Sequence, residues 1–231
     1  MEPQTPPAIF LAASPGFPAL DLFAGAGPAV QAIVLLLVAA LIWTLAVALG
    51  KYAEVTRAGQ EADAFERLFW SGPSLDELYA SMSGKQAGSF SAVFMAAMYE
   101  WRRTLETSPR ALPGVQGRME RLMAVSIARE TYRLEQRLVM LEIIAAAAPL
   151  LGFAGALWAL MAGLGSADGF KALAPVLAQG ALAAAAGLLV AAVATGLHRA
   201  LLRRVRRHEQ RMRDFAQEFS AIVSRQIDAS T

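Results

Sequence analysis

The chain contains no cysteine, only two histidines and no basic residue before Lys51. Without cysteine, a disulfide framework and a Cys-ligated metal site are excluded. His198 and His208 lie ten residues apart and do not converge as ligands, so we expect no metal. The chain also lacks a G-x-S-x-G, P-loop or H-E-x-x-H motif. We therefore expect no catalytic residue, no cofactor and no enzymatic activity.

Apolar residues are abundant instead. They make up 56% of the 231 residues, and the mean hydropathy is +0.42. One apolar stretch is Pro28–Gly50, and two more form a hairpin between Leu141 and Leu197, in which only Glu142, Asp168 and Lys171 are charged. A bilayer core needs about 20 apolar residues in a helix. The sequence predicts an all-α membrane protein with three transmembrane helices.

The basic residues are distributed unevenly along the chain. Twelve of the 21 Lys and Arg residues lie between Lys51 and Arg137, and eight follow Leu197. Basic flanks of membrane helices remain in the cytoplasm. We expect the N-terminus outside, the C-terminus in the cytoplasm, and long helices of spans 2 and 3 that extend into the cytoplasm. The predicted segments are an extracytoplasmic segment (1–27), span 1 (28–50), a cytoplasmic helical domain (51–138), span 2 (139–164), a periplasmic hairpin (165–171), span 3 (172–197) and a cytoplasmic helical tail (198–231).

Turn signals divide the polar region into helices. Ser-Gly-Pro at 71–73 ends one helix, and Ser74 with Glu77 forms a capping box that begins another. A third helical pattern covers Phe90–Leu105 and is broken by the prolines that follow. From Arg118 no Pro or Gly interrupts the helical pattern before span 2, so we expect one continuous helix there.

The hairpin is rich in small residues. Membrane helices that pack closely favour Gly and Ala at their contacts, because the backbones can then approach. The predicted packing or kink positions are Pro149, Gly152, Gly155, Pro175 and Gly187.

The tail carries an apolar stripe at heptad spacing, which is typical of a helix that packs against other helices. We expect contacts between copies of the chain at Leu201, Val205, Met212, Phe215, Phe219 and Ile222. Four arginines between 203 and 207 follow span 3 directly, where anionic membrane lipid favours them. Their position needs no nucleic-acid partner, and we expect none.

Five stretches carry a family resemblance. They are FERLFWSGPSLDELY (65–79), IARETYRLEQRL (127–138), APLLGFAGALW (148–158), APVLAQGALAAAAGLLVAA (174–192) and DFAQEFSAIVSRQ (214–226). These stretches resemble the TolQ/ExbB/MotA family of ion-driven stators, and the first and last are similar to its TolQ branch. The resemblance extends over nearly the whole chain after residue 28.

The resemblance implies a homopentamer in the bacterial inner membrane. Its central pore would hold two copies of a TolR-like partner with a single span. Proton flow, carried by an aspartate of that partner, would energise a TolA-like partner of the Tol-Pal system for outer-membrane integrity and constriction during cell division.

Three positions depart from the family motifs. Ala156 and Ala184 stand where the family has threonines, and Gln179 stands where it has a glutamate. Polar groups within a membrane usually mark an ion path, so these three are the candidate pore-lining residues. Two alternatives to a working stator follow: a divergent scaffold subunit with impaired conduction, or an ExbB- or MotA-like stator that energises another partner.

Overall fold

The computed structural model describes residues 18–72, 74–82, 88–107, 114–165 and 173–230. Every regular element in these ranges is an α-helix. The helices are α1 (Pro18–Ala24), α2 (Pro28–Trp70), α3 (Leu75–Met82), α4 (Ser89–Thr107), α5 (Val115–Glu135), α6 (Leu138–Leu164) and α7 (Leu173–Ser230). Most of the predicted hairpin at 165–171 and most of the predicted N-terminal segment lie outside the described residues.

Helices α2, α6 and α7 are each long and apolar enough to cross a membrane. The prediction of an all-helical protein with three such helices is confirmed. α7 continues from the third apolar stretch through the predicted tail without a break.

The turn chemistry after α2 acts as the sequence predicts. Gly72 adopts a φ of 95°, which glycine tolerates because it has no Cβ. The capping box is formed reciprocally: the Glu77 backbone N–H donates to Ser74 Oγ at 3.3 Å, and the Ser74 N–H donates to Glu77 Oε2 at 3.2 Å. Helix α4 contains the predicted Phe90–Leu105 pattern.

The prediction of one continuous helix from Arg118 into the second span is wrong. A turn at Gln136 and Arg137 separates α5 from α6. Gln136 keeps helical dihedral angles, and its N–H still donates to the Tyr132 carbonyl, so the interruption is local. Just after it, the Leu138 carbonyl accepts a hydrogen bond from His198 Nδ1 at 3.1 Å, which requires the tautomer protonated at Nδ1. This contact joins positions 60 residues apart, and no local sequence signal reports it.

The chain divides into two compact units. The spanning unit comprises the described residues of Met1–Leu45 together with Glu142–Gly196. Its apolar clusters are small: Val30 packs with Ala159 and Ala183, and Leu37 packs with Ala148 and Val190. Each cluster joins α2, α6 and α7, so the three helices pack on one another within this unit.

The polar unit comprises Ala46–Leu141 and the residues from Leu197 onward. Its core is aromatic, with Phe65, Phe69, Phe90, Phe94, Phe215 and Phe219 all buried. The ring of Phe215 meets that of Phe65 edge-on, with centroids 5.3 Å apart, and that of Phe69 at 5.2 Å. Such edge-to-face pairs add to the stabilisation from apolar burial. The residues come from α2, α4 and α7, so this core fixes those helices together.

Candidate ion-path site

Helices α6 and α7 touch through their backbones. A Cβ added to Gly187 would lie 2.5 Å from the Ala148 carbonyl oxygen and 2.9 Å from Gly152 Cα. A Cβ added to Gly152 would lie 2.7 Å from the Ala183 carbonyl oxygen. Only glycine fits at both positions without moving a helix. The two predicted packing glycines therefore face each other.

Gly155 lies one turn further along α6. A Cβ there would lie 3.1 Å from Ala183 Cβ and 3.2 Å from Ile33 Cγ2. Gly155 thus lies where α2, α6 and α7 meet.

The two prolines differ in position. Pro149 lies inside α6 and is half-buried, so it removes one backbone hydrogen bond within the helix. Pro175 is the third residue of α7 and is exposed. The first N–H groups of a helix have no intrahelical partner, so Pro175 interrupts no bond. The expectation of packing or a kink at Pro175 stays a prediction.

Ala156 packs directly against α7. A Cβ added to Gly180 would lie 3.2 Å from the Ala156 carbonyl oxygen and 3.3 Å from its Cα. Ala184 is half-buried on α7. It follows Gln179 by five residues, which turns a helix by about 140°, so these two side chains leave α7 in different directions. The structure therefore does not gather the three candidate residues into one polar cluster.

Gln179 is bound within its own chain. Its Nε2 donates to the Gly25 carbonyl, in the turn between α1 and α2, at 2.9 Å. Gln31 acts on the same turn, since its Nε2 donates to the carbonyls of Phe23 at 3.1 Å and Ala24 at 3.4 Å. Two glutamine amides thus satisfy three successive carbonyls at the end of α1. Sequence analysis missed this role of Gln179, although the G-A-G run before Pro28 does indicate a turn with free carbonyls.

The spanning unit holds few other polar groups. The Thr44 hydroxyl is buried and donates to the Ala40 carbonyl in its own helix at 2.7 Å. Among the described residues of this unit, Asp21 and Glu142 are the only ionisable ones, and both are exposed. No titratable side chain of the described chain therefore lies in the interior where its three helices meet.

The tail stripe has a different role from the one expected. Leu201, Val205, Met212, Phe215 and Phe219 are buried within the polar unit of a single chain, and Ile222 packs half-buried against the same core. A side chain enclosed by its own subunit has no surface left for a neighbour. The stripe packs α7 against α2, α4 and α5. The expected contacts between copies are therefore corrected for the five buried residues, whereas for the half-buried Ile222 such a contact stays a prediction.

The comparisons with known proteins agree with this architecture. Residues 102–214 match the family described as the MotA/TolQ/ExbB proton channel family. The chain is 31% identical over 214 residues to the Tol-Pal system protein TolQ of Haemophilus influenzae, with 90% of this chain and 94% of that protein aligned. It is 32% identical over 224 residues to the Tol-Pal system protein TolQ of Pseudomonas aeruginosa, with 91% and 94% aligned. With three membrane-capable helices and alignment over nearly its whole length, this chain belongs to the MotA/TolQ/ExbB proton channel family.

Proposed function

We propose that the chain is a TolQ-like subunit of the Tol-Pal system and works as a proton-driven stator in the bacterial inner membrane. Five copies surround a pore that holds the single spans of two TolR-like partners. Proton flow through this pore energises a TolA-like partner, which acts on the outer membrane during constriction. The subunit is a multi-pass membrane protein and a channel component, with no enzymatic role.

One observation carries this proposal. The described interior of the spanning unit contains no titratable side chain, and its buried hydroxyl, on Thr44, already donates to its own helix. Proton transfer needs a connected chain of hydrogen-bonding groups or water, which an apolar cavity does not provide. The described residues of this unit supply no proton carrier, so the proposed carrier belongs to a partner. An aspartate on a partner helix, surrounded by pore water, meets that need.

Assembly into a larger complex is supported by the outer face of α6. Large apolar side chains are exposed there, with Leu150 at 72%, Met161 at 69% and Phe153 at 62% of their surface accessible. In a membrane, such a face contacts lipid, a neighbouring copy or a partner helix. The orientation with the N-terminus outside is supported by the basic residues: 20 of the 21 flank the spanning helices on one side, and only Lys171 lies in the hairpin on the other.

A divergent scaffold subunit with impaired conduction is the second candidate. It is favoured by Ala156 and Ala184, which offer methyl groups where the family motifs have hydroxyls, and by Gln179, whose amide is already engaged with Gly25. A scaffold of this kind would assemble with its partner and pass few protons.

Proton uptake into proteoliposomes separates the two candidates. The chain is co-expressed with its TolR-like partner, reconstituted, and tested under an imposed proton gradient. A working stator conducts and loses its flux when the partner's aspartate becomes Asn. A scaffold is silent, and the triple variant Ala156→Thr/Ala184→Thr/Gln179→Glu restores conduction. If neither form conducts while the complex is intact, the proton-driven proposal fails.

The stoichiometry has its own test. Native mass spectrometry of the purified complex is expected to give five copies of this chain with two of the partner. A different ratio would overturn the proposed pentamer without bearing on conduction.

A further inference from the structure

A basic cavity lies between α2 and α7 within the polar unit. Its volume is about 400 Å³. The lining residues are Val55, Thr56, Gly59, Arg204, Arg207, His208 and Arg211. Three of these seven carry guanidinium groups, and none is acidic. The α2 wall is open at Gly59, where a Cβ would meet no atom within 4 Å.

The three guanidinium groups are not equivalent. The charge of Arg211 is neutralised by two carboxylates: its Nη2 contacts Asp63 Oδ1 at 2.7 Å and Glu66 Oε2 at 2.8 Å. Arg204 and Arg207 form no ion pair with any part of the chain that the structure describes. Two positive charges therefore line the cavity without a balancing carboxylate.

The orientation of Arg204 is fixed by an aromatic ring. Its Cζ lies 4.5 Å from the centroid of the Tyr52 ring, a distance at which a guanidinium stacks favourably on the ring face. Stacking leaves the in-plane N–H groups of Arg204 free to bind an anion. Planar N–H pairs of this kind match the geometry of phosphate oxygens.

His208 contributes an unused polar atom to the same cavity wall. The residue is only 5% exposed, and its Nε2 is buried without a hydrogen-bond partner among the described residues. Thr56 differs, because its hydroxyl already donates to the Tyr52 carbonyl at 2.8 Å. A ligand in this cavity would thus meet two guanidinium groups that have no carboxylate partner. The Arg207 group donates through Nε to the Arg203 carbonyl of its own helix at 3.4 Å, which leaves its terminal N–H groups for a ligand. His208, which lines the same cavity, adds a buried and unsatisfied nitrogen.

The position of the arginines along α7 indicates where an anion would come from. Arg204 and Arg207 follow Leu197, the end of the apolar stretch, by about 10 and about 15 Å of helix. The headgroup layer extends about 5 to 8 Å beyond the hydrocarbon core, and long arginine side chains reach back toward it. Phosphate groups of membrane lipids are therefore within reach of Arg204. Arg207 lies one helical turn farther from the membrane.

We propose that this cavity is a phosphate-binding site, with Arg204 and Arg207 as its ligands, and that an anionic glycerophospholipid headgroup occupies it. Binding at this site depends on the position of the two arginines: other arginines on the same stretch of α7 do not substitute for Arg204 and Arg207. It is independent of proton conduction, so it can hold even where the proposed stator function fails.

A matched pair of double variants tests the site. Arg204→Gln/Arg207→Gln removes two charges from the cavity, whereas Arg203→Gln/Arg206→Gln removes two charges from the same stretch of α7 outside it. The protein is purified in detergent and titrated with phosphatidylglycerol, with phosphatidylcholine and with inorganic phosphate. Lipid retention is measured by native mass spectrometry, and stabilisation by the shift in Tm.

Phosphatidylglycerol is expected to bind the wild type and the Arg203/Arg206 variant alike, and to bind the Arg204/Arg207 variant about tenfold more weakly, since charge-assisted phosphate contacts are lost. A variant-dependent shift with inorganic phosphate, together with none with phosphatidylglycerol, would support a phosphate site but overturn the lipid headgroup as its occupant. Equal weakening in both double variants would show a diffuse basic surface and overturn the proposal. Equal Tm values for all forms in phosphatidylcholine alone would establish that the variants are folded.

Discussion

Gly187 on α7 lies against Gly152 on α6, so that a Cβ on Gly187 would come within 2.9 Å of Gly152 Cα and 2.5 Å of the Ala148 carbonyl oxygen. The atoms that a side chain would meet belong to backbone, which cannot swing away. In a membrane, where apolar burial gives helices no net attraction, such close backbone approach is a main source of association. The contact therefore holds the hairpin of α6 and α7 together.

Gly187→Ala is expected to destabilise the protein, because the two helices must separate to admit the methyl group. Overpacking of this kind costs about 1–3 kcal/mol. Thermal unfolding in detergent measures the loss. Gly196→Ala on the same helix is the control, since a Cβ there meets no atom within 4 Å. A Gly187→Ala protein as stable as the Gly196→Ala protein would show that the contact contributes nothing.

Phe215→Asp is expected to unfold the polar unit of a single chain. Phe215 is 4% exposed, and its ring packs on Phe65 and Phe69. Loss of a buried Phe side chain costs about 3–5 kcal/mol before the added penalty of a buried charge. Limited proteolysis should cut the polar unit rapidly, while Phe215→Leu should remain resistant. A protease-resistant Phe215→Asp protein that falls apart into single subunits would instead place this residue between copies.

Features formed by neighbouring residues can be predicted from the sequence, whereas contacts between distant parts of the chain cannot. The capping box of Ser74 and Glu77 is predictable because both partners lie within one helical turn. The heptad stripe through Phe215 reveals that one face of the tail is buried, yet periodicity does not say which chain buries it. Here the core of the same subunit does.

The candidate site also combines features that the local sequence predicts with contacts that it does not. The small residues of the hairpin predict close packing, because Gly and Ala are favoured at membrane contacts whatever the partner helix. The bond from Gln179 to Gly25 joins positions 154 residues apart. Similarly, the turn at Gln136 contains neither Pro nor Gly. No local pattern encodes these two features, so only the folded chain reveals them.

Gln179→Glu is expected to release the turn between α1 and α2. A carboxylate has no proton to donate to the Gly25 carbonyl, and the net value of such a bond is about 1 kcal/mol. Amide exchange in the peptide that spans Asp21–Gly27 should become about fivefold faster, as that free energy predicts. Gln60→Glu, the same chemical change at an exposed position of α2, should leave this peptide unaffected. Unchanged exchange in the Gln179→Glu protein would show that the hydrogen bond does not hold the turn.

His208 is expected to make the polar unit less stable in mild acid. Burial, and to a lesser degree the nearby Arg211 charge, lowers the pKa of His208 from its usual 6.5, while Asp63 and Glu66 oppose the shift. As the pH falls through about 6.5, His208 becomes protonated in the unfolded chain but remains neutral in the folded chain. The free energy of unfolding is therefore largest above this pH and falls as the pH drops below it. Denaturant unfolding between about pH 8 and about pH 5 measures this slope. His208→Gln, which cannot titrate, should flatten it, and an identical slope in both proteins would rule out His208 as the cause.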